Sequence, residues 1–232
     1  MKYNPYSYSK LSLWQQCPRK FYFRYIQKIP CEPSIAIERG DFAHFLIEHV
    51  LKGDILKVQP KSYQLLTSEN KTEIKKMVLE FCKGDVFQGI LDIPGIRETE
   101  AWFALDKNFN YSHKKETNYL IGKIDLQVGS NIFDWKTGKK PKGLKDEDQL
   151  DLYALQYFMK YPEAETCKGS FVFIEHNYIQ EKEYIRDDVV AGIIRTYSEY
   201  IRQMETDTIF ECRESGLCSY CDYIKSCPAY NS

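Results

Sequence analysis

The chain has no uninterrupted run of roughly eighteen apolar residues, the length a membrane-spanning helix needs, and so offers no candidate span. Its opening, Met-Lys-Tyr-Asn-Pro, lacks the apolar core of a secretory signal, and the expectation is a cytoplasmic protein. It also lacks an excess of either charge. Thirty-two Lys and Arg stand against thirty-three Asp and Glu, for a net charge of −1, so any nucleic-acid contact must come from a local patch. There is no internal repeat, no low-complexity tract and no helicase motif, so any motor would be a separate protein.

What is present is a core. Hydrophobic residues make up 43% and aromatic residues 15% of 232 positions, enough for one substantial core, or one core with a small appendage. Eighteen Tyr and thirteen Phe supply both core and stacking surface. Eight cysteines in a compartment where disulfides are rare need another role.

The pattern reads as helices at both ends around a short run of strands. Ser9 suits the cap of a helix over 10–17, and Pro18 suits the first turn of a second helix reaching Ile26. Pro30 and Pro33 break the chain. Residues 38–52 read as a helix with Asp41 as cap and Gly53 as stop. Residues 59–92 hold one or two helices, with Ile74, Met77, Val78 and Phe81 at helical spacing. A strand is expected over 99–105, a polar loop over 106–117, a helix over 146–160, a strand over 168–176 with 179–185 as its partner, and a long amphipathic helix over 187–206. The order helix, three strands, helix, strand predicts an α/β layer with a hairpin at its centre.

That hairpin, 119–138, carries the chemistry. Ile124, Leu126 and Val128 are expected on one face of the first arm, with Lys123 and Asp125 on the other. On the second arm Phe133 and Trp135 oppose Ile132, Asp134 and Lys136. Gly129-Ser130 suits a two-residue II′ turn, and that register sets Asp125 directly opposite Asp134. Opposed residues have Cβ atoms roughly 4.5–5.5 Å apart, where like charges are unfavourable without a cation between them. Lys136 projects from the face of Asp134. Two acids and a lysine around one point suit phosphodiester hydrolysis, although most Asp-x-Lys triplets are solvated mixed charge.

Other candidates gather around it. His44 lies mid-helix, where an imidazole can join the same metal site, whereas His49 reads as an ordinary core or surface histidine. Glu98 and Glu100 share a strand face with Trp102, and Glu100 is the preferred further carboxylate. Gln149 and Tyr153 stand one helical turn apart, with Gln156 and Tyr157 next. The stretch Arg19-Lys20-Phe21-Tyr22-Phe23-Arg24-Tyr25 fits a single-strand binder or a helix whose rings are core. Lys139, Lys140, Lys142 and Lys145 are candidates for phosphate contacts. Near the end, Cys218, Cys221 and Cys227 follow C-x2-C-x5-C, and Cys17, followed by Pro18, is the natural fourth ligand. Zinc favours two short pairs, which this pattern lacks. Four thiolates with a Cys-Pro suit an iron–sulfur cluster better, with Cys212 a substitute or spare. Cys31, Cys82 and Cys167 read as buried thiols.

Taken in order, these motifs resemble the RecB-like branch of the PD-(D/E)xK nuclease superfamily, in particular its CRISPR-associated exonucleases and phage relatives, along nearly the whole chain. Tyr6-Ser7-Tyr8-Ser9 with Cys17-Pro18-Arg19-Lys20-Phe21 resembles that family's start. His44, Gly122-Lys123-Ile124-Asp125, Asp134-Trp135-Lys136-Thr137-Gly138, Gln149 with Tyr153, and the terminal cysteine trio match its later motifs. The family acid of the first strand does not map uniquely. The resemblance implies an α/β restriction-endonuclease-like core, a mixed central sheet flanked by helices. N-terminal helices and a C-terminal cysteine tail would be joined by a metal cluster. It implies one nuclease domain over 1–232, with a catalytic core over 38–185 and a cysteine lobe formed by 1–30 and 208–232. It implies Mg²⁺- or Mn²⁺-dependent cleavage of DNA, single strands favoured and from the 5′ side, in recombination, repair, phage DNA processing or CRISPR adaptation. A [4Fe–4S] cluster would sit on Cys17, Cys218, Cys221 and Cys227, and partners would be a helicase or CRISPR adaptation proteins. The catalytic set is Asp125, Asp134, Lys136, His44, Glu100, Gln149 and Tyr153, with His44, Asp125 and Asp134 on the metal. Two other readings are a DNA-end-binding subunit with little activity alone and an electron-transfer metalloprotein.

Overall fold

The structure is a computed structural model, and it describes residues 3–31, 34–54, 63–112, 114–138 and 147–230. Strand β1 (Tyr6–Ser7) leads into α1 (Tyr8–Gln16), and α2 (Pro18–Phe21) starts at its proline and ends in a π turn, Tyr22–Ile26. Helices α3 (Ile35–Lys52), α4 (Ser68–Lys83) and α5 (Asp85–Asp92) precede β2 (Arg97–Leu105), β3 (Leu120–Val128) and β4 (Asn131–Lys136). Then come α6 (Glu147–Lys160), β5 (Thr166–Phe173), β6 (Tyr178–Ile185) and α7 (Arg186–Thr206).

Local chemistry sets these boundaries. Ser7, not Ser9, caps α1, its Oγ accepting from Lys10 N at 3.3 Å. Helix α3 begins at Ile35 after Ser34, so Asp41 lies inside it rather than at its cap, and it ends as expected at Gly53, φ +70°. Thr67 and Asn70 form a reciprocal capping box at the start of α4. The fifth strand stops at Phe173, because Ile174–His176 tighten into a 3₁₀ turn closed by Asn177 in the left-handed region. Lys139, Lys140, Lys142 and Lys145 lie outside the described residues.

The sheet is mixed. Strand β6 pairs antiparallel with β5, and β5 runs parallel to β4 with α6 as the crossover such pairing requires. Strand β2 lines one edge of β3 throughout. The other edge of β3 is shared: β1 pairs parallel at Leu120 and Ile121, and β4 pairs antiparallel from Leu126 to Val128. Among the described residues, 122–125 therefore have no strand partner on that edge. The two-residue β1 was not foreseen.

Helices cover both faces. Phe42 and Ile47 of α3 and Ile74, Val78 and Phe81 of α4 pack on Leu126, Val128, Phe133 and Trp135. Opposite, Leu150, Ala154 and Phe158 of α6 pack on Ile124, Ile132, Phe171 and Phe173. Each such side chain contributes about 1.5–3 kcal/mol of burial. The two chain ends meet around a third cluster that includes Trp14, Phe21, Tyr197, Met204 and Phe210. In the Arg19–Tyr25 stretch, Phe21 and Phe23 are core, and Phe21 and Phe210 stack at 6.3 Å.

This packing corrects one expectation. Ile124 shares a face with Ile132, whereas Leu126 and Val128 share the opposite one with Phe133 and Trp135. Strand β3 thus changes phase between Ile124 and Leu126. The cause lies across the ladder. Thr99 pairs with Leu126 and Ala101 with Ile124, but the residues between, Glu100 and Asp125, do not pair, and Glu100 takes φ +54°. The same twist separates Glu98, which meets Lys160 of α6 at 3.1 Å, from Glu100, which meets Lys123.

Helix α6 sits close on β3 because Gly122 has no side chain. A Cβ there would stand 2.4 Å from Oε1 of Gln156, a fully buried residue with no solvent to swing into. Gly122→Ala is expected to lower the unfolding free energy by about 1–3 kcal/mol in urea denaturation, with recovery when Gln156→Ala is added. An unchanged midpoint would show that the contact is slack.

Candidate active site

The sheet forks where β4 leaves β3, and the fork holds the acids. The register is the expected one, yet Asp125 and Asp134 are not ladder partners, since pairing ends at Leu126 and Phe133. Instead the Asp125 carboxylate turns into the fork and accepts the Trp135 N–H at 2.7 Å. Its other oxygen accepts from Nδ1–H of His44 at 3.2 Å. Helix α3 can present His44 because it runs close past the end of β4: a Cβ on Gly40 would stand 3.3 Å from Thr137 Oγ1.

Asp134 points to the α6 side. Lys136 Nζ lies 2.7 Å from its Oδ2 and donates to Gln149 Oε1 at 2.8 Å. Gln149 Nε2 donates to Asp134 Oδ1 and to Tyr153 Oη, each at 2.9 Å. Tyr153 Oη donates to the Lys123 carbonyl at 2.9 Å, one of the backbone groups on the unpartnered stretch of β3. The Phe171 ring lies 4.6 Å from Lys136 Nζ and fixes it from the sheet side. Neither Phe171 nor the Trp135 N–H stood out in the sequence, which carries no pattern marking a backbone donor or a core ring as part of a site.

Burial strains the charges. Asp134 is 5% exposed, and its carboxyl is held up at about 6, first by burial and then by the charge of Asp125, against the pull of Lys136 and His44. Burial works against the charged form of His44, but the Asp125 hydrogen bond and the carboxylates of Asp125, Asp134 and Glu100 outweigh it, so His44 titrates above its ordinary value. Tyr153 is raised well above the ordinary phenol by burial and the same two aspartates, and stays a neutral donor. Glu100 reaches the rim, ion-paired with Lys123. His49 is a satisfied core histidine, its Nδ1 2.7 Å from the Phe45 carbonyl.

Two oxygen-donor acids near one another fit a hard divalent cation, whose charge would favour the ionised form that burial and Asp125 disfavour in Asp134. Among the described residues no three His, Cys, Asp or Glu side chains are gathered closely enough to cage a metal, so the fork presents two carboxylates and a histidine hydrogen-bonded to one of them.

Five cysteines face a different cavity, with no three of them close enough to hold a metal as they stand. Cys17, Cys212, Cys218, Cys221 and Cys227 line one cavity of about 230 Å³ between α1 and the C-terminal turns, with Cys212 and Cys227 Sγ atoms 3.6 Å apart. Backbone and side chains from both ends close it, including Arg19 N–H to Glu211 O and Lys20 to Asp222. Cys167 is buried as expected, but Cys31 and Cys82 are half-buried, each on an element that meets solvent.

Among the described residues no helix is long and apolar enough to cross a membrane. In a comparison with solved structures, a candidate exonuclease from Eubacterium rectale shares this fold with a TM-score of 0.60, at 12% identity over 96% of this chain and 88% of its own. The crystal structure of SSO0001 matches at 20% identity over 98% of this chain and 87% of its own, with a TM-score of 0.49. Isoleucine–tRNA ligase of Aquifex aeolicus (strain VF5) is 28% identical over 100 residues, 41% of this chain, and the chain spans only 10% of that relative. The model of the PD-(D/E)XK nuclease superfamily matches residues 5–228, nearly every element that builds the fork and the cysteine cavity, and the chain belongs to that superfamily of phosphodiester-hydrolysing nucleases.

Proposed function

We propose that this protein is a metal-dependent DNA nuclease, acting as an exonuclease on single strands from the 5′ side, with a structural [4Fe–4S] cluster on Cys17, Cys218, Cys221 and Cys227. The observation that carries the nuclease reading is the closed network Asp134–Lys136–Gln149–Tyr153 beside Asp125 at the sheet fork. The exonuclease reading is supported by the name of the E. rectale protein. The four thiols, with Cys212, line one cavity joining both chain ends, which suits a cluster that clasps the fold.

PD-(D/E)XK nucleases use divalent metals such as Mg²⁺ or Mn²⁺, and such an ion supplies an activated water and neutralises charge on the phosphate. Asp125, Asp134 and His44 are the residues that would hold it. Lys136 places its ammonium where a pentacovalent phosphate gathers negative charge. Gln149 bonds both Lys136 and Asp134 and sets their spacing. Tyr153 keeps its proton and ties α6 to β3 at the gap. His44 orients the Asp125 carboxylate that caps β4, and Glu100 holds Lys123 at the rim.

Lys136→Ala is expected to keep the fold and to lose cleavage of end-labelled DNA with Mn²⁺ by at least a hundredfold; a wild-type rate would defeat the assignment. Asp134 carries a second, opposite signature. Its folded-state carboxyl binds a proton that the unfolded chain, near 4, has already released. Ionised Asp134 therefore costs stability that grows as pH rises from about 4 to about 6 and then levels off. Asp134→Asn should abolish cleavage yet stabilise the metal-free protein by about 1–2 kcal/mol above pH 6, with no gain near pH 4, in thermal melts across that range. For the cluster, anaerobically purified protein should show broad visible absorbance and bound iron, both lost in Cys227→Ser along with a lower melting temperature. Colourless protein with stoichiometric zinc would replace the cluster by zinc.

A further inference from the structure

Trp102 stands apart from the other tryptophans. Trp14 and Trp135 are 5% and 3% exposed, whereas Trp102, on β2 with Lys123 as its cross-strand partner, is 54% exposed. It borders two adjoining depressions. One, of about 260 Å³, is walled by Ser7, Tyr8 and Ser9 at the start of α1 and by Lys123, Gln149 and Tyr153 of the candidate active site. The other, of about 590 Å³, shares Trp102 and Ile121 with the first and extends to Tyr111 and Asn118. On the far side, a third depression of about 790 Å³ shares Tyr8, Ser9 and Gln149 with the first and reaches Lys136. Shared lining residues set the three in one row, a track in which Trp102 borders the 590 and 260 Å³ depressions, Gln149 the 260 and 790 Å³ ones, and Lys136 the 790 Å³ one.

The chemistry of the track is uneven. Among the described residues its cations are Lys123 and Lys136, each engaged by a carboxylate. Of the acids along it, Glu147 is ion-paired with Lys182 and Asp148 accepts from Tyr200, while Glu116 stands at the far end. Hydroxyls and amides supply the remaining polar surface. Among the described residues, then, the track offers little free positive charge for phosphates. An exposed indole offers what a single strand has and a duplex hides, an open base face.

We infer that Trp102 stacks on a nucleobase of a single DNA strand lying in this track, next to the phosphodiester that enters the fork. This deepens the nuclease reading and rests on it. Trp102 is thereby a substrate-positioning residue that favours single strands over duplex and abasic segments.

The test uses full-length protein carrying Lys136→Ala, with EDTA, so that no cleavage occurs. Indole fluorescence is titrated with an oligothymidylate, with an abasic oligomer of equal length, and with duplex, and the affinity of every variant is read from the anisotropy of the same oligomers carrying an end label. Trp14 and Trp135 are buried, and the quenching assigned to Trp102 is the part that disappears in Trp102→Ala. Oligothymidylate is expected to quench and to bind about tenfold more weakly when Trp102→Ala is added; Trp102→Tyr restores most of the affinity. The abasic oligomer binds weakly and equally to all three. Parental affinity in Trp102→Ala, or equal binding and no quenching with either oligomer, overturns the inference. Melting temperatures confirm that each variant is folded. Cleavage of the same oligothymidylate by wild-type protein with Mn²⁺ is read separately. Cleavage without a Trp102 effect removes the stacking and leaves the nuclease, whereas a Trp102 effect without cleavage leaves a single-strand binder and removes the nuclease.

Discussion

Everything in the candidate site depends on β4 parting from β3 after three ladder pairs. Continued pairing would bury Asp125 and Asp134 against each other as neighbours in an ordinary hairpin. At the parting, Asp125 itself satisfies the Trp135 N–H, a charge-assisted bond to a backbone donor that the ladder has abandoned. On the other side, Tyr153 satisfies the Lys123 carbonyl. Side chains thus take over the backbone bonding that the sheet gives up.

The surrounding packing keeps that fork open. Large apolar contacts on both faces, from Phe42 and Phe81 on one side and Leu150 and Phe158 on the other, outweigh the cost of a carboxylate held at about 6. That cost amounts to a few kcal/mol at most, less than two or three buried aromatic or aliphatic side chains contribute. The fold can therefore carry an unfavourable charge pair, and a bound cation would relieve it.

Much of this was legible in the chain. Gly129-Ser130 fixes a two-residue turn, so the hairpin register followed from turn chemistry. Gln149 and Tyr153 are one helical turn apart, so their common direction followed from helix geometry. Other features were not legible, for physical reasons. The phase change in β3 arises from Glu100 adopting a left-handed conformation across the ladder, which no alternation pattern encodes. Strand β1 is two residues long and makes no periodic signal. Ser34 displaced Asp41 as the start of α3 because a helix of eighteen residues can absorb a polar face without breaking. The cysteine spacing was visible in the sequence, but only the meeting of the two chain ends puts Cys212 on the same cavity as the other four, 3.6 Å from Cys227.

In the proposed nuclease Asp125 and Asp134 act together as oxygen donors to one divalent cation at the fork. Titration calorimetry with Mn²⁺, a hard ion that thiols do not attract, tests it on the wild type and on Asp125→Asn and Asp134→Asn. Saturable binding is expected in the wild type and is removed by either substitution, with Cys218→Ser binding as the wild type does. Mn²⁺ binding of wild-type strength in both aspartate variants would contradict it.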